Sequence, residues 1–203
     1  LPWGSLAGER VAARSTDPDD RRRAANIALY YADILRNMGR LPQAEQAYLS
    51  DLSLRQQIGD RQGEAVDLSN LGSVAQARGQ LAQAQDYFEQ SLAIDREVQD
   101  RRGEGVVLYS LATIAEARGD LDRAEALHRE SLTIGIAVQS GPDVADSWLE
   151  LGRFLIEHER NRDEGCQMLR DAIRLYHEMG LPGEQVARDT ARRLGCGNAA
   201  DDA

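Results

Sequence analysis

Apolar residues in the middle of this chain recur at steps of three and four. Leu68, Leu71, Val74 and Ala75 make one stripe, and Leu81, Ala84, Phe88, Leu92 and Val98 make a second with slight drift. That spacing predicts helices with one buried face. The pattern then repeats. Residues 65–79 align without a gap on residues 105–119, and Leu81, Ala84, Ser91, Leu92 and Ile94 return 40 positions on as Leu121, Ala124, Ser131, Leu132 and Ile134. Another 40 back stand Gly39, Leu41, Ala44, Leu52 and Leu54, and another 40 forward stand Trp148, Leu151 and Gly152. Beyond these the register slips by one, to Gly165, Leu169, Ala172 and Ile173, and a turn around Glu159 to Asn161 is expected to absorb the extra residue. Four copies at this period predict a repeat array.

Each copy reads as a helix pair. Gly39, Gly79 and Gly119 are expected just past the first helix, where glycine takes the left-handed conformation without a Cβ clash. The second helix should open near Pro42, Leu81 or Leu121 and end near Gly59, Gln99 or Gln139. Asp60 and Asp100 are candidate N-caps, with Glu64 and Glu104 one turn in to favour the helix dipole. Pro142 and Pro182 suit first-turn positions, and Asp17 followed by Pro18 could open the first helix. Neither stripe can be covered inside one two-helix unit, so stacked neighbours must share a core. The expected layout is a lead or remnant helix over 1–16 and a single array over 17–195, with repeats near 24–63, 64–103, 104–143 and 144–184. A capping helix over 185–195 would bury Val186, Ala187, Ala191 and Leu194 and turn Arg188, Arg192 and Arg193 outward, followed by a disordered tail over 196–203.

The residues at these places resemble the tetratricopeptide repeat. In the best copy Leu68, Leu71, Gly72, Ala84, Phe88 and Ser91 fill the family's pattern; Trp148, Leu151 and Gly152 fill half of the fourth. The first copy is looser, with Ala28, Tyr31, Ala32, Ala44, Tyr48 and Asp51, and in the third Ala112 and His128 replace the glycine and the aromatic. The resemblance implies an all-α, right-handed α-solenoid of antiparallel helix pairs, of the long-repeat type found in kinesin light chains and in bacterial signalling and regulator arrays. Helices of about 16–18 residues would then be roughly 25 Å long. Gly72 or Ala112 would let the first helix approach the backbone of the second at Ala84 or Ala124.

In that family the first helices line a concave, partner-binding face. The carried-over candidates are Asn26, Leu29, Asp33 and Arg36 in the first copy, and Val66, Ser69, Asn70, Ser73 and Gln76 in the second. The third offers Val106, Tyr109, Ser110, Thr113 and Glu116, and the fourth Asp146, Leu149, Glu150, Arg153 and Ile156. This mixture of small polar, apolar and charged groups suits a peptide of mixed character. The amide-binding Asn seen in long-repeat relatives occurs here as Asn70, but Tyr30, Ser110 and Glu150 hold the equivalent places, so no asparagine ladder is expected. Co-chaperone arrays clamp a terminal carboxylate with Lys and Asn; this chain has no Lys, and Leu29 and Asp33 hold the matching places.

Composition narrows the function classes. A net charge of −10 disfavours nucleic acid and anionic membrane surfaces, both of which need a basic face. No apolar run approaches the roughly 20 residues of a spanning helix. The start Leu1-Pro2-Trp3-Gly4 has neither the basic nor the apolar region of a signal peptide, and the missing Met is expected of an excised or processed piece. All 24 basic residues are Arg, a bias that fits a GC-rich bacterial genome. Cys166 and Cys196 are too few for a disulfide framework and are expected to be inert in a reducing cytoplasm. His128, His158 and His177 lie on different helices without metal-ligand spacing. Gly103-Glu104-Gly105 lacks the Lys-Ser/Thr of a phosphate loop, and no carboxylate pair stands in an evident cleft.

No cofactor, metal or catalytic group is therefore expected. The reading is a non-enzymatic scaffold, the sensor or adaptor part of a bacterial regulator, whose partner is another protein or peptide. Self-association through the terminal repeats and a peptide or small-signal receptor are the alternatives.

Overall fold

The structure, a computed structural model, describes residues 17–196. The expected lead over 1–16 and the tail beyond Cys196 lie outside the described residues. Among the described residues there are nine helices and no strands: α1 (Pro18–Asn37), α2 (Leu41–Ile58), α3 (Arg61–Ala77), α4 (Leu81–Val98), α5 (Arg101–Ala117), α6 (Leu121–Ala137), α7 (Gly141–Glu157), α8 (Arg162–Met179) and α9 (Glu184–Arg193). The architecture is an all-α solenoid built from consecutive helix pairs.

The punctuation follows the residues expected to supply it. Gly39, Gly79 and Gly119 all have φ between 71° and 79°. At the ends of the second helices Gly59 is left-handed at φ 69°, and the non-glycine residues Gln99 and Gln139 take φ 60° and 55°. Asp60 accepts from the Gly63 N–H (3.1 Å) and Asp100 from the Gly103 N–H (2.8 Å), one cap at the start of α3 and one at the start of α5. The extra residue of the fourth repeat falls in the turn before α8. There Glu159 has φ 52° and Asn161 caps α8 by accepting from the Glu164 N–H.

The chain forms two compact units that divide between Gly103 and Glu104, in the first turn of α5. In the first, α1 to α4 pack in order around Leu35, Tyr48, Leu52, Leu68, Leu71 and Val74. In the second, α6 packs on α7 and α7 on α8 around Leu132, Leu151, Phe154 and Leu155, and α9 closes α7 and α8 through Ala187 and Ala191. A repeated hydrogen bond ties each middle hairpin together. Ser91 Oγ donates to the Ala65 carbonyl and Ser131 Oγ to the Gly105 carbonyl, both at 2.8 Å.

Three expectations are corrected. A Cβ on Gly72 would stand 2.7 Å from the Phe88 ring, so this glycine makes room for an aromatic rather than for the backbone at Ala84. True backbone approach occurs in the fourth repeat, where a Cβ on Gly152 would meet the Gly165 carbonyl at 2.8 Å and one on Gly165 the Gly152 carbonyl at 2.7 Å. Val186, expected on the buried side of α9, is exposed, because Ala187 and Ala191 turn the adjacent face toward α8. The cysteines are not isolated either. Cys166 on α8 and Cys196 past α9 form a disulfide across 30 residues of sequence. The fold-back of α9 onto α8 is what brings them together, a tertiary event with no local signal.

Candidate partner-binding face

In the first unit the predicted residues lie on α1 and α3. Val66 is exposed, and Ser69, Asn70, Ser73 and Gln76 are half-buried along α3. Ser73 turns its hydroxyl back to the Ser69 carbonyl (3.1 Å), leaving a smooth helix surface. Several of the other candidates are committed to one another. Arg36 Nη1 donates to Asn70 Oδ1 at 2.7 Å and its Nη2 lies 3.5 Å from Asp33, which in turn accepts from the Tyr48 hydroxyl at 2.6 Å. Asn26 accepts from Arg55 Nη2 (3.2 Å), and Leu29 packs on the core. Asn70 is thus a link in a network between first helices.

Behind this face lies a buried ionic cluster that the periodic pattern does not reveal. Arg55 Nε stands 3.1 Å from both Asp51 Oδ2 and Asp67 Oδ2, and its Nη1 donates to Asp60 at 2.7 Å. Asp51, Arg55 and Asp67 are all buried, and Asp51 Oδ1 and both Asp67 oxygens lack a donor. Burial, then the neighbouring Asp51 carboxylate, pushes the Asp67 carboxyl up to about 9, and burial raises Asp51 as well. A proton held between the two carboxyls satisfies oxygens that would otherwise be orphaned. The available sequence signal was a break in the repeat, because Ser91, Asp95 and Val107 and then Ser131, Gly135 and Ser147 occupy the same places in later copies.

The second unit carries Val106, Tyr109, Ser110, Thr113 and Glu116 on α5 and Asp146, Glu150 and Arg153 on α7. Val106 and Asp146 are exposed, and the other six are half-buried. Thr113 Oγ1 donates to the Ser110 carbonyl at 2.8 Å. Arg153 is the hub. It donates to both Glu116 oxygens (2.9 and 3.0 Å), to Glu150 (2.9 Å) and to Glu157, and His158 Nε2 also meets Glu116 at 2.9 Å. Burial pushes the Glu116 carboxyl up, but the hydrogen bonds from Arg153 and His158 outweigh it and hold the group below the usual carboxylate value. Glu116, Asp146, Glu150 and Glu157 on these two helices outnumber the guanidiniums that meet them, Arg153 and, at Glu157, Arg193 of α9 (2.8 Å), so the face is acidic. Leu149 and Ile156, predicted for the open face, are only 7% exposed and belong to the core beside Leu169 and Ile173. Their helix turns them inward because α8 and α9 cover that side of α7.

His128 sits beneath, between Tyr109 (5.9 Å between ring centroids) and Phe154 (5.6 Å). Its burial lowers the imidazole to about 4, and Nε2 has no partner. It fills the aromatic place of its repeat as a neutral ring. Among the described residues no group of three or more His, Cys, Asp or Glu side chains could hold a metal, and no helix is long and apolar enough to cross a membrane.

Residues 23–97 and 68–137 match the family described as Tetratricopeptide repeat. A comparison with curated proteins finds no match. Similar solved structures include BtubC (BKLC) from P. vanneervenii, at 19% identity with a TM-score of 0.72, covering 86% of this chain and 71% of that one. Another is a variant of a Podosopora anserina protein described as a putative kinesin light chain with nearly identical TPR-like repeats, at 16% identity and a TM-score of 0.68, covering 89% of this chain and 87% of that one. A third is the apo form of RapI, at 15% identity and a TM-score of 0.69, covering 86% of this chain and 54% of that one. At these identities the likeness is one of fold.

Proposed function

This chain belongs to the tetratricopeptide repeat family, and from that premise we propose that it is a protein-interaction scaffold that takes a partner protein or peptide on the open face of its first helices. In this reading it serves as the sensor or adaptor part of a bacterial regulator and does no chemistry itself. One observation carries the reading. Val66 and Val106, 40 positions apart, are 41% and 46% exposed, each on the face that also carries half-buried Ser69 and Ser73 or Ser110 and Thr113. Small hydroxyls that bond back to their own helix leave a surface a partner's side chains can approach closely. In the second unit the acidic surround of Arg153 favours a partner segment with basic groups.

The test is selection of a random-peptide library on the intact chain, followed by Ser73→Arg and Thr113→Arg variants whose helicity is checked by circular dichroism. The selected peptides should lose most of their binding to these variants and keep it with Glu130→Arg, a change on the exposed side of α6. Equal binding to all three variants would remove the open face from the proposal.

A further inference from the structure

The last helix is held to the array largely by one covalent bond. α9 is ten residues long, too short to stay helical without tertiary support. Its buried side chains are two alanines, Ala187 and Ala191, which bring one methyl group each, while Gln185, Val186, Asp189, Arg192 and Arg193 face water. A short turn, Gly180-Leu181-Pro182-Gly183, ties its start to α8. Its far end is fastened by the Cys166–Cys196 disulfide, with Arg162 Nη2 donating to the Leu194 and Gly195 carbonyls alongside. Gly195 is exposed, so the bridge lies one residue below the surface. The same helix also reaches the candidate partner face. Arg193 Nη1 donates to Glu157 Oε1 at 2.8 Å, and the other oxygen of Glu157 accepts from Arg153. Arg153 in turn donates to Glu116 and Glu150. Arg193 is thus a counter-charge that α9 brings to the acidic face of α5 and α7, and it stays there only while α9 is docked.

We propose that the Cys166–Cys196 bridge is a redox latch on the partner face. Closed, it keeps Arg193 on Glu157 and tempers the acidity of that face. Opened, it releases α9 and raises the affinity of the face for a basic partner segment. The effect on affinity rests on the partner-binding reading, whereas the release of α9 does not. Opening requires a dithiol as reductant. One of its thiolates attacks a sulfur of the bridge, and its second thiol then displaces the mixed disulfide so formed. Two electrons and two protons pass to Cys166 and Cys196, which become thiols, and the reductant leaves as a cyclic disulfide. What then remains to hold α9 is two alanine methyls and hydrogen bonds from Arg162 at an exposed helix end. With α9 gone, Glu157 keeps one guanidinium where it had two. A staple with a purely structural role would fasten α9 to the core alone; this one also fastens a charge to the face.

Fluorescence anisotropy of a labelled hexa-arginine peptide decides it, titrated at low salt with the full chain, oxidised and after dithiothreitol. Hydrogen exchange of α9 is followed on the same samples. The dithiol should free the α9 amides and tighten the peptide roughly two- to fivefold, the effect of removing one exposed counter-charge. Arg193→Gln should reach the tighter binding with the bridge intact. Glu157→Gln should bind the peptide equally in both redox states. A chain carrying both Cys166→Ser and Cys196→Ser, its helicity checked by circular dichroism, should be indifferent to the dithiol. Protected α9 amides in the reduced chain would overturn the latch. Freed α9 with unchanged peptide affinity would overturn its link to the face, and so would a redox effect that persists in Glu157→Gln. A peptide that binds in neither state would instead remove the partner-face reading, and the exchange data would still decide the latch.

Discussion

Arg55 faces three carboxylates, and at the residue scale that imbalance gives the first unit an unusual pH response. The Asp67 carboxyl is raised to about 9 in the fold, by burial first and Asp51 second, against roughly 4 in an unfolded chain. The folded state therefore holds an extra proton between those two values. A raised pKa contributes stability that is fully present below the unfolded value and is lost as pH rises through the folded one. Comparing denaturant midpoints at pH 5 and pH 9 should show the wild type losing more stability on alkalinisation than Asp67→Asn does. A steeper loss in the variant would contradict the assignment. Removing the cation works the other way. Arg55→Met strands two buried carboxyls and should cost about 3–5 kcal/mol at neutral pH, read from the same titrations. None of this is visible in hydrophobic periodicity, because Asp51 and Arg55 fall at places held by Ser91 and Asp95 in the next copy, off the apolar stripes, and only Asp67 stands where that copy has an apolar residue, Val107.

Helix contacts in the two best-formed pairs show why glycine recurs at one place for two reasons. At Gly72 an added methyl meets the Phe88 ring, and at Gly152 it meets a carbonyl of the facing helix. Alanine gains about 1 kcal/mol of helix propensity over glycine in either position, so the packing conflict must exceed that gain to show. Gly72→Ala is expected to be destabilising overall, within the roughly 1–3 kcal/mol typical of overpacking. Gly152→Ala should be the worse of the two, because two helix backbones must separate where a ring could tilt. Thermal denaturation of both variants tests the order; a stabilised Gly152→Ala would contradict the described contact between α7 and α8. The recurrence of a small residue is legible as a family mark. What it touches at Gly72 is not, since spacing along one helix does not say which atoms of the next helix stand opposite.

Across the whole molecule the two units respond to different insults. The first is governed by the Arg55 cluster. The second is stapled by Cys166–Cys196, with Arg162 Nη2 also donating to the Leu194 and Gly195 carbonyls at the end of α9. Closing a loop of this length restricts the unfolded chain by about 3–4 kcal/mol. Reductant, or Cys166→Ser, should therefore lower the stability of the second unit by that order. Hydrogen exchange should show α9 amides deprotected first, with α1 to α4 unaffected. Unchanged α9 exchange on reduction would mean that Ala187, Ala191 and the Arg162 cap hold the helix without the covalent link.

Helix periodicity, the 40-residue step and the cap residues were determined by the sequence alone, because they depend on neighbours three, four or a fixed repeat apart along one chain. The expectation that the first helices line the open side came with the family resemblance. Tertiary structure decided what depends on distant residues meeting. It paired two cysteines 30 positions apart, drew Leu149 into the core under α8 and α9, and gathered Asp51 and Asp67 around one guanidinium. It also left Ile27 and Ile34 exposed on α1, among the described residues. A residue's spacing reports which face of its helix it occupies, and only the packed neighbour determines whether that face meets water, charge or another helix.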